Sequence, residues 1–213
     1  MKETIMKKLL IVALCLILSG SVLAGPGKTE ITAGYGIATF QDFAELNKVL
    51  LIAIFSGLGS GVVDAVLGLE PADKYDGSDI KGFGALCIGV YRNPNLRWRY
   101  GVLLTYSRYE VTHNFMLENK AKDRDQFFGV MARADYHWMR RRAFALYSGL
   151  ALGGCLYTSN GEASGVKGTS TTVLFPAPHF NLLGFRLGGG LAFYTEFGIG
   201  CSGVWNSGLS YRW

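Results

Sequence analysis

The last ten residues, VWNSGLSYRW (204–213), alternate in character. Trp205, Ser207, Leu209, Tyr211 and Trp213 fall on one side, with Asn206, Gly208, Ser210 and Arg212 on the other. A period of two marks a strand whose faces meet different surroundings. The pattern recurs upstream. EITAGYGIA (30–38) sets Ile31, Ala33, Tyr35 and Ile37 against Glu30, Thr32, Gly34 and Gly36. LRWRYGVLLTYSRYEV (96–111) sets Trp98, Tyr100, Val102, Leu104 and Tyr106 against Arg97, Arg99, Gly101, Thr105 and Ser107. In QFFGVMARADYHW (126–138), Phe128, Val130, Ala132, Ala134, Tyr136 and Trp138 oppose Phe127, Gly129, Met131, Arg133, Asp135 and His137. LAFYTEFGIG (191–200) places Leu191, Phe193, Phe197 and Ile199 opposite Tyr194 and Glu196.

Three further segments complete the set. SDIKGFGALCIGVY (78–91) is a strand whose two faces are both too apolar to set its phase, and AFALYSGLALGGCLY (143–157) follows the basic turn as a further strand. A third runs from about Thr169 to Leu187, and Pro176 and Pro178 require an irregularity in it because proline donates nothing to a ladder. Short reversals near 92–95, 139–142 and 188–190 all belong to one end, whereas polar 112–125 and 158–168 read as longer loops. Eight strands with such an asymmetry predict an all-β fold, an eight-stranded antiparallel transmembrane β-barrel. The last strand would close against residues 30–38. A soluble lipocalin-like barrel is the rival, but it would turn the large aromatics inward.

One stretch breaks the pattern. In DFAELNKVLLIAIFSGLGSGVVDAVLGLE (42–70), residues 43–56 are helix-like, and glycines interrupt the apolar run that follows. A short helical insertion (44–70) between strands 1 and 2 is therefore expected, resting on the membrane interface or against the barrel mouth.

The N-terminus changes the domain boundaries. Lys7 and Lys8 precede an apolar run from Leu9 to Leu18, and Val22-Leu23-Ala24 suits cleavage, so 1–24 reads as a signal peptide and 25–213 as the barrel domain. Removing it lowers the formal charge from +5 to +3. With no concentrated Lys/Arg tract, nothing points to nucleic acid. The remaining Cys87, Cys155 and Cys201 are too few and too widely spaced for a disulfide framework. Gly 29, Tyr 11 and Phe 13 suit curved strands with aromatic belts.

With the aromatic face toward lipid, Arg97, Arg99, Arg133, Asp135, His137, Arg186, Glu196 and Arg212 are expected to point inward. An eight-stranded barrel is only wide enough for side chains to fill, and charges there must be paired or hydrated. A structural charge network is the expectation, with no catalytic, cofactor or metal residue assigned. His113, His137 and His179 share no metal-ligand spacing, and no serine can be placed beside His137 and Asp135 as a nucleophile. The expected role is non-enzymatic, in envelope structure or surface interaction. The alternatives are a narrow channel or transporter for ions or small apolar molecules, and a lipid-modifying enzyme. Arg140, Arg141 and Arg142 stand at a turn, where they bind anionic headgroups or remain solvated.

The stretch HFNLLGFRLGGGLAFYTEFGIGCSGVWNSGLSYRW (179–213) resembles the small outer-membrane β-barrel proteins of Bacteroidota, a group broadly similar to OmpA- and OmpW-like eight-stranded barrels. Gly184-Phe185-Arg186-Leu187-Gly188, Glu196-Phe197-Gly198-Ile199-Gly200 and Ser207-Gly208-Leu209-Ser210-Tyr211-Arg212-Trp213 carry it, and YGIATFQDF (35–43) is similar too. Such families usually end in Phe, where this chain has Trp213. The resemblance implies a monomer in the outer membrane, surrounded by its lipid. It also implies a C-terminal strand (Leu209, Tyr211, Trp213) read by the barrel assembly machinery.

Overall fold

A computed structural model of the protein describes residues 28–47, 75–82, 84–115, 120–163 and 166–213. The expected signal peptide and all but the first residues of the 44–70 insertion lie outside them. The described residues form ten strands: β1 (Lys28–Ile37), β2 (Tyr75–Lys81), β3 (Ala85–Asn93), β4 (Trp98–Phe115), β5 (Lys120–Arg140), β6 (Phe144–Ala163), β7 (Val166–Pro176), β8 (His179–Gly188), β9 (Leu191–Gly200) and β10 (Trp205–Arg212).

These ten make eight staves. β2 and β3 both pair with β4, one above the other, and β7 and β8 pair with β6 in the same way. The first break falls where Gly82 (φ 108°) and Gly84 (φ 83°) adopt a conformation that side chains with a Cβ disfavour. The second falls at Ala177-Pro178, where the prolines interrupt donation to the ladder. Every neighbouring pair is antiparallel, and the circle closes through β1–β10 and β4–β5. The protein is an eight-stranded, closed, antiparallel β-barrel.

The wall is uneven in height. β1, β9 and β10 stop near Ile37, Gly200 and Trp205, whereas β2, β4, β5, β6 and β7 continue beyond that level. The polar stretches 112–125 and 158–168, expected as loops, are therefore largely strand. β4 pairs with β5 up to Asn114↔Lys120, and β6 with β7 up to Ala163↔Val166. Val111 and Tyr109 are buried on the inner side of this extension, and on its outer side the cross-strand pair Glu110↔Arg124, with Arg124 Nε 3.4 Å from Glu110 Oε1, keeps opposite charges adjacent.

Directions follow the alternation. On β3, whose phase the sequence left open, Ala85, Cys87 and Tyr91 turn inward while Leu86 and Ile88 are exposed. Size decides here, because a side chain at Gly89 would strike the Tyr91 ring inside the barrel. The exterior of β4 and β5 carries Trp98, Tyr100 and Tyr106 with Val130 and Ala132, then turns polar at Arg108, Glu110 and Arg124. Residues 98–106 are nine, about the length of a tilted transmembrane strand. A closed ladder with an exposed apolar belt of that height is the structure a bilayer demands, since it leaves no backbone group unpaired in lipid. None of the described helices is long and apolar enough to cross a membrane.

Helix α1 is described over 40–47, starting four residues before the expected insertion. Thr39 and Asp42 explain the earlier start. The Thr39 amide donates to Asp42 Oδ2 (2.6 Å) and the Asp42 amide donates to Thr39 Oγ1 (3.1 Å), a reciprocal cap. Asp42 Oδ1 also accepts from the Gly84 amide and the Tyr109 hydroxyl, both at 2.7 Å. α1 is thereby held against the mouth, with Gln41 and Glu45 buried and Phe40, Phe43 and Leu46 exposed. This apolar-outward pattern inverts that of a helix on a soluble core.

Candidate functional site

Register stacks the lumen in two layers. Toward the α1 end, the row Cys87↔Thr105↔Gly129↔Cys155 passes around the wall, and Cys87 and Cys155 join Leu103, Met131, Ala151, Ala177 and Cys201 in an apolar cluster. The three thiols are free. Toward the short-turn end, the interior is charged.

Glu30 of β1 is the hub of that layer and is completely buried. Its Oε1 lies 3.3 Å from Arg99 Nη1 and 3.2 Å from Arg186 Nε, and its Oε2 lies 2.7 Å from Arg212 Nη2. Arg99 Nε donates to Asp135 Oδ2 (2.8 Å), and its guanidinium stands 4.4 Å from the ring centroid of Tyr91 and 4.5 Å from that of Tyr147. Arg133 grips Glu196 in a two-point fork, Nη1 to Oε2 at 2.9 Å and Nη2 to Oε1 at 2.7 Å, while its Nε donates to Asp135 Oδ1 at 2.9 Å. The Tyr147 hydroxyl donates to Glu196 Oε1 (2.8 Å). Arg186 donates to Ser210 Oγ and to the carbonyls of Gly188, Gly189 and Gly190, between 2.8 and 3.2 Å.

Each of the eight staves supplies a member: Glu30, Tyr91, Arg99, Arg133 with Asp135, Tyr147, Arg186, Glu196 and Arg212. Four arginines face three carboxylates, so the charges nearly balance, as burial in a low-dielectric lumen requires. The network also selects register. Alternation alone tolerates a slip of two residues, because faces are preserved. Such a slip at β1–β10 would place Glu30 opposite Ser210 instead of Arg212.

Of the residues expected inside, Arg99, Arg133, Asp135, Arg186, Glu196 and Arg212 are joined in this network. His137 is buried but stands apart, its ring 5.3 Å from that of Tyr147 and both nitrogens without a hydrogen-bond partner. Arg97 is not in the lumen: it is exposed in the turn before β4. Its amide accepts the turn geometry by donating to Asn95 Oδ1 (3.0 Å), so the alternation of β4 begins only at Trp98. Glu30, Tyr91 and Tyr147 were missed as site residues. The signal for Glu30 was present, since it shares the polar face of β1 with Thr32. Leu209, Tyr211 and Trp213 lie exposed on the outside of the closing strand.

Among the described residues no group of three His, Cys, Asp or Glu side chains is arranged to hold a metal ion. The acids of the network are engaged by guanidinium groups and, at Glu196, by the Tyr147 hydroxyl.

No family model and no curated protein matches the chain. Among solved structures, it is similar to two of Ail, the attachment invasion locus protein of Yersinia pestis, one of them in complex with the heparin analogue sucrose octasulfate. Both are 12% identical and cover 89% of this chain and 100% of that one, with TM-scores of 0.45 for the complex and 0.44 for the other. The chain's own strand pairing and surface carry the conclusion: this is a transmembrane β-barrel of the outer-membrane type, closed by its first and last strands around a charged lumen.

Proposed function

We propose that the protein is a monomeric, non-enzymatic outer-membrane barrel, sealed through its lumen, that serves envelope structure or contact at the cell surface. The observation that carries this reading is the luminal network, to which every stave contributes. An interior occupied by interlocked ion pairs, with an apolar layer above it, offers ions no continuous polar path. The tall β4–β5–β6 wall then provides a rigid polar surface beyond the membrane, the part of the molecule suited to a partner.

Residues 1–24 direct secretion and are removed. The Leu209–Tyr211–Trp213 face addresses the closing strand to the assembly machinery, and the chain groups with the small Bacteroidota barrels. Support comes from the charged and apolar halves of 1–24 and from the resemblance over 179–213. The short-turn end faces the periplasm and the tall wall faces outward.

Site-specific labelling of intact cells tests location and orientation together. The Cys87, Cys155 and Cys201 thiols are buried and Cys15 leaves with residues 1–24, so the background is silent. A membrane-impermeant maleimide should label Arg108→Cys, whose position is half exposed on the polar part of β4, in intact cells. It should label Arg141→Cys only after the envelope is opened. Labelling in intact cells at 141 and not at 108 would reverse the orientation, and labelling at both positions only after opening would exclude the membrane topology.

A further inference from the structure

The two turns that join β3 to β4 and β5 to β6 lie side by side and carry an unusual density of cation. The Arg140 guanidinium donates to the Asn95 carbonyl (3.0 Å), tying one turn to the other, and the His137 amide donates to the Arg97 carbonyl (2.7 Å). Arg97, Arg141 and Arg142 are exposed. No Asp or Glu occurs in 84–109 or in 136–161, so neither turn carries an acid of its own. The carboxylates at this level, Glu30 and Asp135, are buried in the lumen and already committed to arginines.

Immediately toward the membrane, the lipid-facing side carries an aromatic ladder. Trp98 stacks with Tyr100 (6.0 Å) and meets Tyr136 edge-on (5.2 Å), and Tyr136 meets Trp138 edge-on (5.1 Å). Trp98 and Trp138 are both exposed, at 40% and 67%. Aromatic side chains of this kind settle at the headgroup level of a bilayer. Unneutralised guanidinium groups in the turns just beyond them stand where phosphates lie, and the guanidinium fork matches phosphate oxygens.

We propose that these turns form a binding site for an anionic phospholipid of the adjoining leaflet. Arg97, Arg141 and Arg142 engage its phosphate, and the Trp98–Trp138 ladder holds the glycerol and upper acyl chains. Arg140 fixes the two turns at the spacing the site needs. The site rests on the reading of the chain as a membrane barrel, and it goes beyond that reading by naming a lipid class and a place.

The test uses the folded protein in vesicles, in a Trp205→Phe/Trp213→Phe background so that emission comes from Trp98 and Trp138. The vesicles are phosphatidylcholine containing a minor fraction of acyl-brominated phosphatidylglycerol or, in the control, the same fraction of brominated phosphatidylcholine. The anionic quencher should associate preferentially, and Arg97→Gln/Arg141→Gln/Arg142→Gln should lower that preference by roughly five-fold per arginine removed, toward none. Arg→Lys at the same three positions should leave a preference between those of the native protein and the Gln variant, because charge is retained and the fork is lost. Equal quenching by the two lipids, or a preference untouched by the Gln variant, would overturn the site. Loss of the preference on adding soluble glycerol phosphate would also overturn it, by making free phosphate the ligand. Gel migration before and after boiling reports barrel formation separately. A folded barrel without preference refutes only the lipid site, whereas a chain that forms no barrel in lipid refutes the membrane reading beneath it.

Discussion

Glu30 and Arg212 face each other across the seam where the first strand meets the last. Their Cα positions are register partners, and Arg212 Nη2 lies 2.7 Å from Glu30 Oε2. The seam is therefore fixed by backbone pairing and by a charge pair 182 residues apart in sequence. The two partners are not equivalent. Glu30 also answers Arg99 and Arg186, while Arg212 is at the rim with 10% of its side chain exposed.

Neutralising the hub should therefore cost more than neutralising the rim. Glu30→Gln leaves buried Arg99 and Arg186 short of a counter-charge and should destabilise the barrel by about 3–5 kcal/mol, the cost of orphaning buried charge. Arg212→Gln should cost about 1 kcal/mol, because the remaining arginines still satisfy Glu30 and the position reaches water. Urea unfolding in lipid vesicles, followed by tryptophan emission, measures both. Equal losses would show that Glu30 is not the hub.

The Arg133–Glu196 fork should behave as a unit. Each single truncation, Arg133→Met or Glu196→Leu, strands the other charge in the lumen. The double variant removes both charges and should be less destabilising than the two singles added together, by about 1–3 kcal/mol. Additive losses in the same unfolding assay would contradict a direct pairing.

Space beside the network is equally constrained. A Cβ at Gly149 would collide with the Asp135 carboxylate, whereas one at Gly189 meets nothing within 4 Å. Gly149→Ala should lose about 1–3 kcal/mol, the usual penalty of overpacking, through displacement of Asp135 from its arginines. Gly189→Ala, on the exposed turn, should be close to neutral. The pair is read by the midpoint temperature of heat-modifiable migration.

How much of this could be read from the chain alone follows from what each signal encodes. Period two is imposed by the backbone, so β1, β4, β5, β9 and β10 were legible wherever polarity differed between faces. It failed on β3 because the contrast there is one of size: the small Ala85, Cys87 and Gly89 turn inward, Gly89 leaving room for the Tyr91 ring, while Leu86 and Ile88 face outward. It also misplaced Arg97, since alternation gives no sign of where a strand ends and a turn begins. Polar composition suggested loops at 112–125 and 158–168, but a ladder needs only paired backbone and compatible neighbours. Alternation puts Glu30 on the inner face of β1, but which luminal charges meet there depends on register between strands far apart in sequence, so its place as the hub is not legible.

α1 depends on one carboxylate. Asp42 caps the helix through the Thr39 amide, accepts from the Gly84 amide and binds the Tyr109 hydroxyl. Asp42→Ala should lose about 1–2 kcal/mol of local stability. Hydrogen exchange over 40–47 should then rise while exchange in β5 and β6 stays unchanged. Faster exchange throughout the barrel would mean that Asp42 supports the wall itself.

Conductance across a planar lipid bilayer tests the sealed lumen most directly. With the folded protein inserted, the account predicts no discrete ion-conducting steps under applied voltage, because ion pairs from six staves and the Tyr91 and Tyr147 rings of the other two fill the interior. Stable unitary steps from the wild-type chain that disappear on changing Glu30 or Arg133 would contradict it and make the same network the lining of a channel.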